Sequence, residues 1–597
     1  MRFVTHPRAA YQQRLAVHQA TWANASRADA RAAWLRLLTF GVALVAAGFA
    51  WANRGSWWYL AGPVAVFIVL IRWHDAIIAR RDTASKVIAF YERGLARLDD
   101  AWSGLGARGE RFADPEHLYA ADLDLFGAGS LFELLCLSRT RAGEETLAKW
   151  LKQPASLPVI LARQAAVIEL TPGLDRRERL WSAGADVATA VHPDTLVQWA
   201  EAPQLLPSWL QPVAALLTAT IIGTATLAFS TSEYVPFLLA LAVAGAVLLR
   251  FLDRVSKVLH AAGSWSRDLD VLAGVLSQLE RETFESAALA ELVSNLRTDG
   301  QAPSRAIRWL HRLSEMHDWQ HNVLFATVAT PLLWGVHLAL AMERWRHTYG
   351  PRVRVWLDSV GEFEALSSIA AYGYEHPDDM FPKLAEDGSA VFAGAGLGHP
   401  LLPSARMVRN DVRLDRELQL LVISGSNMSG KSTLLRTVGI NAVMALMGAP
   451  VRASSLRLSP LALGATLRIQ DSLQEGRSRF FAEITRLKEI ADRSKGAPHT
   501  LFLLDELFHG TNSHDRLTGA SGVLRALLDR GAIGLITTHD MALVAVAEQL
   551  APRAANVHFD DRFEANEIVF DYTMKPGPVT SSNALALMRA VGLDVDT

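Results

Sequence analysis

The feature that most constrains the fold is an apolar run followed by a glycine-containing loop at residues 418–435, which reads L-Q-L-L-V-I-S-G-S-N-M-S-G-K-S-T-L-L. An apolar strand before G-x-x-x-x-G-K-S and a helix after it are the context that a phosphate-binding loop requires. Glycines let successive backbone N–H groups turn towards phosphate oxygens, and the N-terminus of the following helix adds a favourable dipole. The pattern predicts an α/β nucleotide-binding domain with a mostly parallel sheet.

The residue types within this loop suggest individual roles. Lys431 is expected to reach the β and γ phosphates, and Ser432 is expected to ligate Mg²⁺. ATP and Mg²⁺ are therefore the expected ligands. The remaining predicted nucleotide-binding residues are Gly425, Asn427, Met428, Gly430 and Thr433.

Two further apolar runs end in chemically active side chains. The run T-L-F-L-L-D-E at residues 500–506 ends in Asp505, which can hold Mg²⁺ through water, and Glu506, which can polarise an attacking water. The run at residues 533–536 is followed by T-T-H-D, which makes His539 a candidate γ-phosphate sensor. A structural histidine in the core is the alternative for His539. Together with the loop, these residues predict an ATPase.

The text between the loop and the acidic run resembles a known family. G-R-S-R-F-F-A-E-I at residues 476–484 resembles the S-x-F-x-x-E signature of MutS-type ATPases. S-N-M-S-G-K-S-T resembles that family's N-M-G-G-K-S-T, and D-E-L-F-H-G-T-N resembles its D-E-x-x-x-G-T. No L-S-G-G-Q-like signature of ABC-transporter ATPases is present. The similarity extends to residues 398–401, 410–411, 575–578 and 581–593.

The resemblance implies a composite site in a homodimer, in which Ser478, Phe480 and Glu483 of one subunit reach the nucleotide of the other. It also implies Mg²⁺ at Ser432 and Asp505. Met407 falls where family members often place an aromatic residue on adenine, so base stacking at this position is not expected. Gln470 aligns loosely with a residue that senses Mg²⁺ or water.

Hydrophobic residues make up 50% of the chain, and the positive mean hydropathy indicates membrane segments. Uncharged runs at about 37–52 and 55–71 predict one transmembrane hairpin, and runs within about 210–250 predict a second. Arginines flank the first hairpin and place its outer ends in the cytoplasm. The expected protein is multi-pass, in a bacterial-type inner membrane, with its core and ATPase domains cytoplasmic. Buried helical hairpins are the alternative. The flanking arginines are Arg27, Arg31, Arg36, Arg72, Arg80 and Arg81.

The expected fold is multidomain. Residues 1–116 form an N-terminal region with the first hairpin, at about 37–71. Residues 117–384 form an all-α core (lever) domain that resembles the MutS core and is interrupted by the second hairpin. Residues 385–597 form the α/β P-loop NTPase domain of ABC/MutS type. Within the core, residues 319–342 are expected to form a buried helix rather than a membrane span, and residues 375–398 a linker.

Three functions are compatible with these sequence features. The first is a membrane-anchored MutS-like ATPase that acts on DNA with low specificity, and the second is an ATPase of the same fold that remodels a protein partner. The third, a transporter, is disfavoured because the apolar runs lack charged groups. A formal charge of −2 gives no basic excess for nucleic acid. Repair members of this family read mismatches with an N-terminal domain that carries a Phe-x-Glu wedge. F-Y-E at residues 90–92 matches the wedge text but lies in a run with helical spacing, and the resemblance to the core begins near residue 117, so mismatch selection is not expected. The single cysteine, Cys136, is expected to be a buried thiol.

Overall fold

The structure is a computed structural model and describes residues 6–52, 57–183, 193–263, 266–297, 302–426, 428–468, 479–508, 513–564 and 567–579. The chain divides into two compact units. The first comprises residues 1–102 and 173–183, and the second comprises residues 103–172 and 184–597.

The helices precede most of the strands. They are α1 (Pro7–Ala52), α2 (Ala61–Leu98), α3 (Leu131–Leu135), α4 (Arg141–Lys152), α5 (Leu157–Leu170), α6 (Leu174–Ser182), α7 (Pro193–Glu201), α8 (Leu210–Thr231), α9 (Val235–Gly263), α10 (Ser266–Leu279), α11 (Ala287–Leu296), α12 (Pro303–Asp318), α13 (Val323–Ala329), α14 (Trp334–Tyr349), α15 (Val353–Glu375), α16 (Lys431–Met447), α17 (Arg479–Arg493), α18 (Ser513–Asp529) and α19 (Met541–Gln549).

The strands lie in the C-terminal part of the second unit. They are β1 (Lys383–Leu384), β2 (Phe392–Leu397), β3 (Asn410–Leu414), β4 (Leu420–Ser424), β5 (Ser455–Leu458), β6 (Ala462–Thr466), β7 (Thr500–Asp505), β8 (Ile533–Thr538), β9 (Ala554–Glu564) and β10 (Glu567–Pro576).

In the first unit, α1 and α2 pack along each other and are joined by polar and aromatic contacts. Asp29 accepts hydrogen bonds at 2.6 Å from both His74 and Arg81. Phe90 lies within α2, buried against Tyr11, so the predicted helical setting of F-Y-E is confirmed. A buried helical position cannot present a wedge to a DNA groove.

Among the described residues, four helices are long and apolar enough to cross a membrane by length and composition: α1, α2, α8 and α9. The runs predicted at 37–52 and within 210–250 fall in α1, α8 and α9, and the described part of the run at 55–71 continues through a 3-10 turn (Trp57–Leu60) into α2. Within the most apolar 18-residue segment of each helix, only 6% is buried in α1 and in α2, and only 17% is buried in α8 and in α9. These apolar side chains are therefore not packed into a protein core, as the alternative of buried hairpins would require.

The helical part of the second unit is built around α15, which packs against α4, α5 and α11. Glu364 on α15 is fully buried and accepts hydrogen bonds from the backbone N–H groups of Arg139 and Thr140 and from the Thr140 hydroxyl. Burial nevertheless raises the pKa of Glu364 to about 7. Cys136 follows α3 and is buried, as predicted.

The prediction of one buried helix over residues 319–342 is wrong. The structure has a short 3-10 turn (Trp319–His321), then α13, then α14. Pro331 cannot donate a backbone hydrogen bond, and Leu333 adopts a left-handed conformation with φ of 54°, so the helical hydrogen-bond pattern is broken between α13 and α14. This region is also not among the candidate membrane spans of the described residues.

The larger sheet has the order β10-β9-β4-β8-β7-β6 among the described residues. All its pairings are parallel except β9 with β10, so the prediction of a mostly parallel sheet is confirmed. Side chains alternate between faces along each strand. Leu420 and Val422 of β4 pack with α17, α18 and α19 on one face. On the other face, a Cβ placed on Gly439 of α16 would lie 2.8 Å from Leu503 of β7.

A smaller sheet with the order β1-β5-β2-β3 was not predicted. Residues 383–384 and 392–397 form two of its strands, so the interpretation of 375–398 as a linker is wrong for those residues. The glycines of β2 give it little local strand character. The strand is stabilised by pairing with β3 and β5, which follow later in the chain, so its own sequence did not predict it.

Candidate active site

The predicted phosphate loop connects β4 to α16. Gly425 has φ of 145° and Gly430, the N-cap of α16, has φ of 102°. These values lie in the region that glycine adopts without strain. A Cβ on Gly425 would also lie 2.8 Å from the carbonyl oxygen of Phe559. Met428 adopts a positive φ of 71° without being glycine. Asn427 lies outside the described residues.

Lys431 is the first residue of α16, and its side chain turns back into the loop. Its Nζ donates to the carbonyl oxygens of Gly425 at 2.7 Å and Ser426 at 2.8 Å. Burial lowers the pKa of Lys431, while the nearby carboxylates of Glu506, Asp505 and Asp561 act in the opposite direction. The cation is therefore held at the loop and faces several acids. Ser432 and Thr433 follow it in the first turn of α16.

Asp505 and Glu506 lie at the carboxyl end of β7, and a residue of the neighbouring strand holds both. Thr537 of β8 is in register with Asp505. Its hydroxyl donates to Asp505 Oδ1 and accepts from the Glu506 N–H at 3.1 Å. His539 follows β8, and its Nδ1 lies 3.4 Å from Glu506 Oε1. The structure thus brings Asp505, Glu506 and His539 to one edge of the sheet, as expected for parallel strands.

Beside the loop lies a cavity of about 400 Å³ that is lined by Met407, Val408, Tyr572, Gly430 and others. Tyr572 lies at the irregular pairing of β10 with β9, and a Cβ on Gly430 would be 3.1 Å from its ring. Sequence reasoning missed this aromatic residue. Its signal was an aromatic side chain just before the K-P-G text at 575–577, but its proximity to the loop required the fold.

The other wall of this cavity is polar in part. Burial lowers the pKa of His399 to about 4, and the Arg436 charge acts in the same direction. His399 is therefore neutral near pH 7. Met407 lies in the wall as the family resemblance placed it, without an aromatic ring.

The predicted signature residues are only partly described. Ser478 and Gln470 lie outside the described residues, as do residues 509–512 and 581–593. Phe480 stacks edge-on with Phe508, with ring centroids 6.2 Å apart. Glu483 is only 4% exposed, and its Oε1 accepts a hydrogen bond at 2.5 Å from the Phe508 N–H of the same chain.

The site fits a magnesium nucleotide on an observation of its own. Ser426 Oγ is buried in the loop and has no hydrogen-bond partner among the described residues. Buried polar atoms are rarely left without a partner, and a phosphate oxygen at the loop would supply one for this hydroxyl. Ser432 and Asp505 supply the oxygen donors that Mg²⁺ prefers. The arrangement can bind phosphates, hold a metal and activate a water.

Comparison with known proteins agrees with this geometry. Residues 421–595 match the family model described as MutS domain V, a span that includes the phosphate loop, the acidic strand and β10. Residues 421–595 therefore resemble a MutS-family domain. Over 196 residues the chain is 36% identical to a protein named Endonuclease MutS2 from Thermus thermophilus. That match covers 33% of this chain and 25% of the Thermus protein. MutS domain V is a P-loop ATPase-type domain, and the loop between β4 and α16 of this chain has the sequence pattern of a P-loop.

Proposed function

We propose that this protein is a membrane-anchored MutS-family ATPase whose ATP hydrolysis is coupled to binding of DNA without mismatch selection. The observation that carries the ATPase part is the meeting of Lys431, Asp505 and Glu506 at one edge of the parallel sheet, beside a loop with a buried, unpartnered serine hydroxyl.

In the proposed reaction, the loop N–H groups and Lys431 bind the phosphates of ATP, and Tyr572 covers the base cavity. Ser432 directly, and Asp505 partly through water, would hold Mg²⁺, which neutralises phosphate charge when bound. Glu506 accepts a proton from water as the water oxygen attacks the γ-phosphorus and ADP leaves. His539, whose Nδ1 lies 3.4 Å from Glu506 Oε1, would sense the γ-phosphate.

The membrane part of the proposal rests on the four apolar helices. Their exposed leucine, valine, phenylalanine and tryptophan side chains match the lipid core and its interfaces. Arginines at the outer ends of the first hairpin favour a cytoplasmic location for the core and ATPase domains. ATP is available on that side.

We further propose a homodimer with composite sites, in which Ser478 of one subunit contacts the nucleotide of the other. DNA binding is supported by the family of the C-terminal domain, but the chain has no basic excess to strengthen it. A membrane ATPase that remodels a protein partner is the alternative. The resemblance implies that soluble family members insert a DNA-gripping clamp into the core, and in this chain the apolar helices α8 and α9 would take that place.

The ATPase proposal is tested with purified full-length protein in detergent. Lys431→Ala should lose ATP binding, because the loop cation is removed, whereas Glu506→Gln should bind ATP and stop turnover. Lys488→Ala is the matched control, because Lys488 lies on α17 with a side chain that is 75% exposed. Equal ATP affinity in wild type and Lys431→Ala would contradict the assignment.

The DNA part is tested by competition between homoduplex and single-mismatch duplex of equal length at two fixed salt concentrations, because phosphate contacts dominate affinity. We expect weak, salt-sensitive binding with less than about a tenfold preference, or 1.4 kcal/mol, for the mismatch. A larger preference would restore mismatch selection. No binding at low salt would favour the protein-partner alternative.

A further inference from the structure

Helix α17 contacts the loop that follows β7 and carries Glu506, the proposed water-activating residue. Glu483 on α17 accepts the Phe508 N–H at 2.5 Å, across a separation of 25 residues in sequence. Phe480, one turn earlier, packs its ring edge-on against Phe508. Phe508 itself is buried in the cluster that includes Leu487 of α17 and Leu524 of α18. The start of α17 and the segment after Glu506 are therefore packed against each other and joined by a hydrogen bond.

The loop held by Glu483 has an unfavourable backbone. Glu506 has φ of 48° and Phe508 has φ of 59°, and neither is glycine. Such conformations cost free energy and persist only where surrounding contacts impose them. Thr537 holds the Glu506 N–H, and Glu483 holds the Phe508 N–H. These two acceptors fix the loop on both sides of the turn that directs the Glu506 carboxylate.

Helix α17 is also anchored one turn beyond Glu483. Arg486 donates to the carbonyl oxygens of Glu116 at 2.6 Å and His117 at 2.7 Å. In the same segment, Asp122 accepts the backbone N–H groups of Leu467 at 2.6 Å and Arg468 at 2.8 Å. The helix that carries Glu483 thus has a defined position relative to the end of β6 and to residues 116–122.

We propose that Glu483 is a positioning residue that acts within its own subunit, where it holds the loop that aims Glu506, rather than contacting the nucleotide of a partner subunit. The inference rests on the proposed ATPase function. Helix α17 and the residue before it would then have two functions. The start of α17 at Arg479 directly follows Ser478, which is proposed to reach the partner's nucleotide, while Glu483 adjusts Glu506 of its own site.

The first test separates positioning from folding by comparing two substitutions. Glu483→Ala removes the acceptor, whereas Glu483→Gln keeps an oxygen that can accept the Phe508 N–H. We expect Glu483→Ala to lower kcat by about tenfold or more with ATP affinity changed less than about threefold, and Glu483→Gln to recover most of the rate. Lys488→Ala, on the exposed side of α17, is the control. Turnover of Glu483→Ala equal to that control would overturn the proposal.

The second test uses dimers with differently tagged subunits. With Glu483→Ala in one subunit and Glu506→Gln in the other, action within the subunit damages both sites, and turnover should fall to the level of the Glu483→Ala homodimer or below. With both substitutions in one subunit and a wild-type partner, one intact site remains, and about half of wild-type turnover is expected. The reverse order of the two activities would refute action within the subunit.

A second pair of heterodimers distinguishes the proposal for Glu483 from the proposal of a composite site. The same two heterodimers are made with Ser478→Arg in place of Glu483→Ala. Their turnover rates should rank in the opposite order, since Ser478 is proposed to act across the interface. If the Ser478→Arg pair shows no such order, the composite site fails, and Glu483 is still decided by the kcat comparison. If wild-type protein hydrolyses no ATP, the proposed function fails and the positioning role fails with it.

Discussion

Replacing Thr537 by valine should separate metal and water activation from ATP binding. Thr537 is fully buried, and its hydroxyl donates to Asp505 Oδ1 and accepts the Glu506 N–H. Valine has nearly the same shape, so the substitution removes these two bonds and leaves the packing unchanged. The Glu506 N–H still donates a hydrogen bond to the Thr537 carbonyl oxygen at 3.2 Å, whereas Asp505 loses the hydrogen bond from the hydroxyl.

The expected decrease in kcat follows from the hydrogen bond that Thr537 donates to Asp505. A hydrogen bond to a charged group is worth about 1.5–3 kcal/mol, which at 1.36 kcal/mol per factor of ten corresponds to a decrease in kcat of about 10- to 150-fold. The Mg²⁺ concentration for half-maximal activity should rise, because Asp505 is no longer held in place. ATP affinity without Mg²⁺ should stay within about twofold, because the phosphate loop is untouched.

The assay is steady-state ATP hydrolysis over a series of Mg²⁺ concentrations, with thermal midpoints measured on each sample. Thr500→Val is the matched control. Thr500 lies in the same sheet and is buried, but its hydroxyl has no hydrogen-bond partner among the described residues. Its removal should leave kcat unchanged. A Thr537→Val enzyme with kcat within twofold of Thr500→Val would refute the role that we assign to this hydroxyl.

Three further outcomes are expected. Tyr572→Ala should raise KM for ATP more than it lowers kcat, because the ring lines the cavity beside Gly430, and a Tyr572→Phe enzyme close to wild type would serve as its control. Burial raises the pKa of Glu364 to about 7 from an ordinary 4.5, so its stabilising contribution is complete below pH 4.5 and is lost as pH rises through 7. Glu364→Gln should therefore gain stability relative to wild type, by up to about 3 kcal/mol, between pH 5 and pH 8 in thermal unfolding. Finally, alkaline carbonate should leave the full-length protein in the membrane pellet, and its release without detergent would indicate buried hairpins instead.

Local sequence determined much of the architecture. The phosphate loop, the acidic strand and the four apolar helices could be predicted because each depends on neighbouring residues: a strand that runs into a glycine turn, carboxylates that end an apolar run, or uncharged stretches of sufficient length. Lys431, Asp505 and Glu506 could be placed at one edge because the carboxyl ends of parallel strands meet there.

Tertiary structure decided which distant groups hold these residues. Thr537 joins Asp505 only through the register of β7 with β8, and Tyr572 reaches Gly430 only through the pairing of β10 with β9. The family resemblance suggested that Glu483 faces a partner, and only the packing of α17 brings it to Phe508. A hydrogen bond between residues far apart in sequence leaves no local pattern of composition or spacing. It forms because the burial of many apolar side chains elsewhere brings the two groups together.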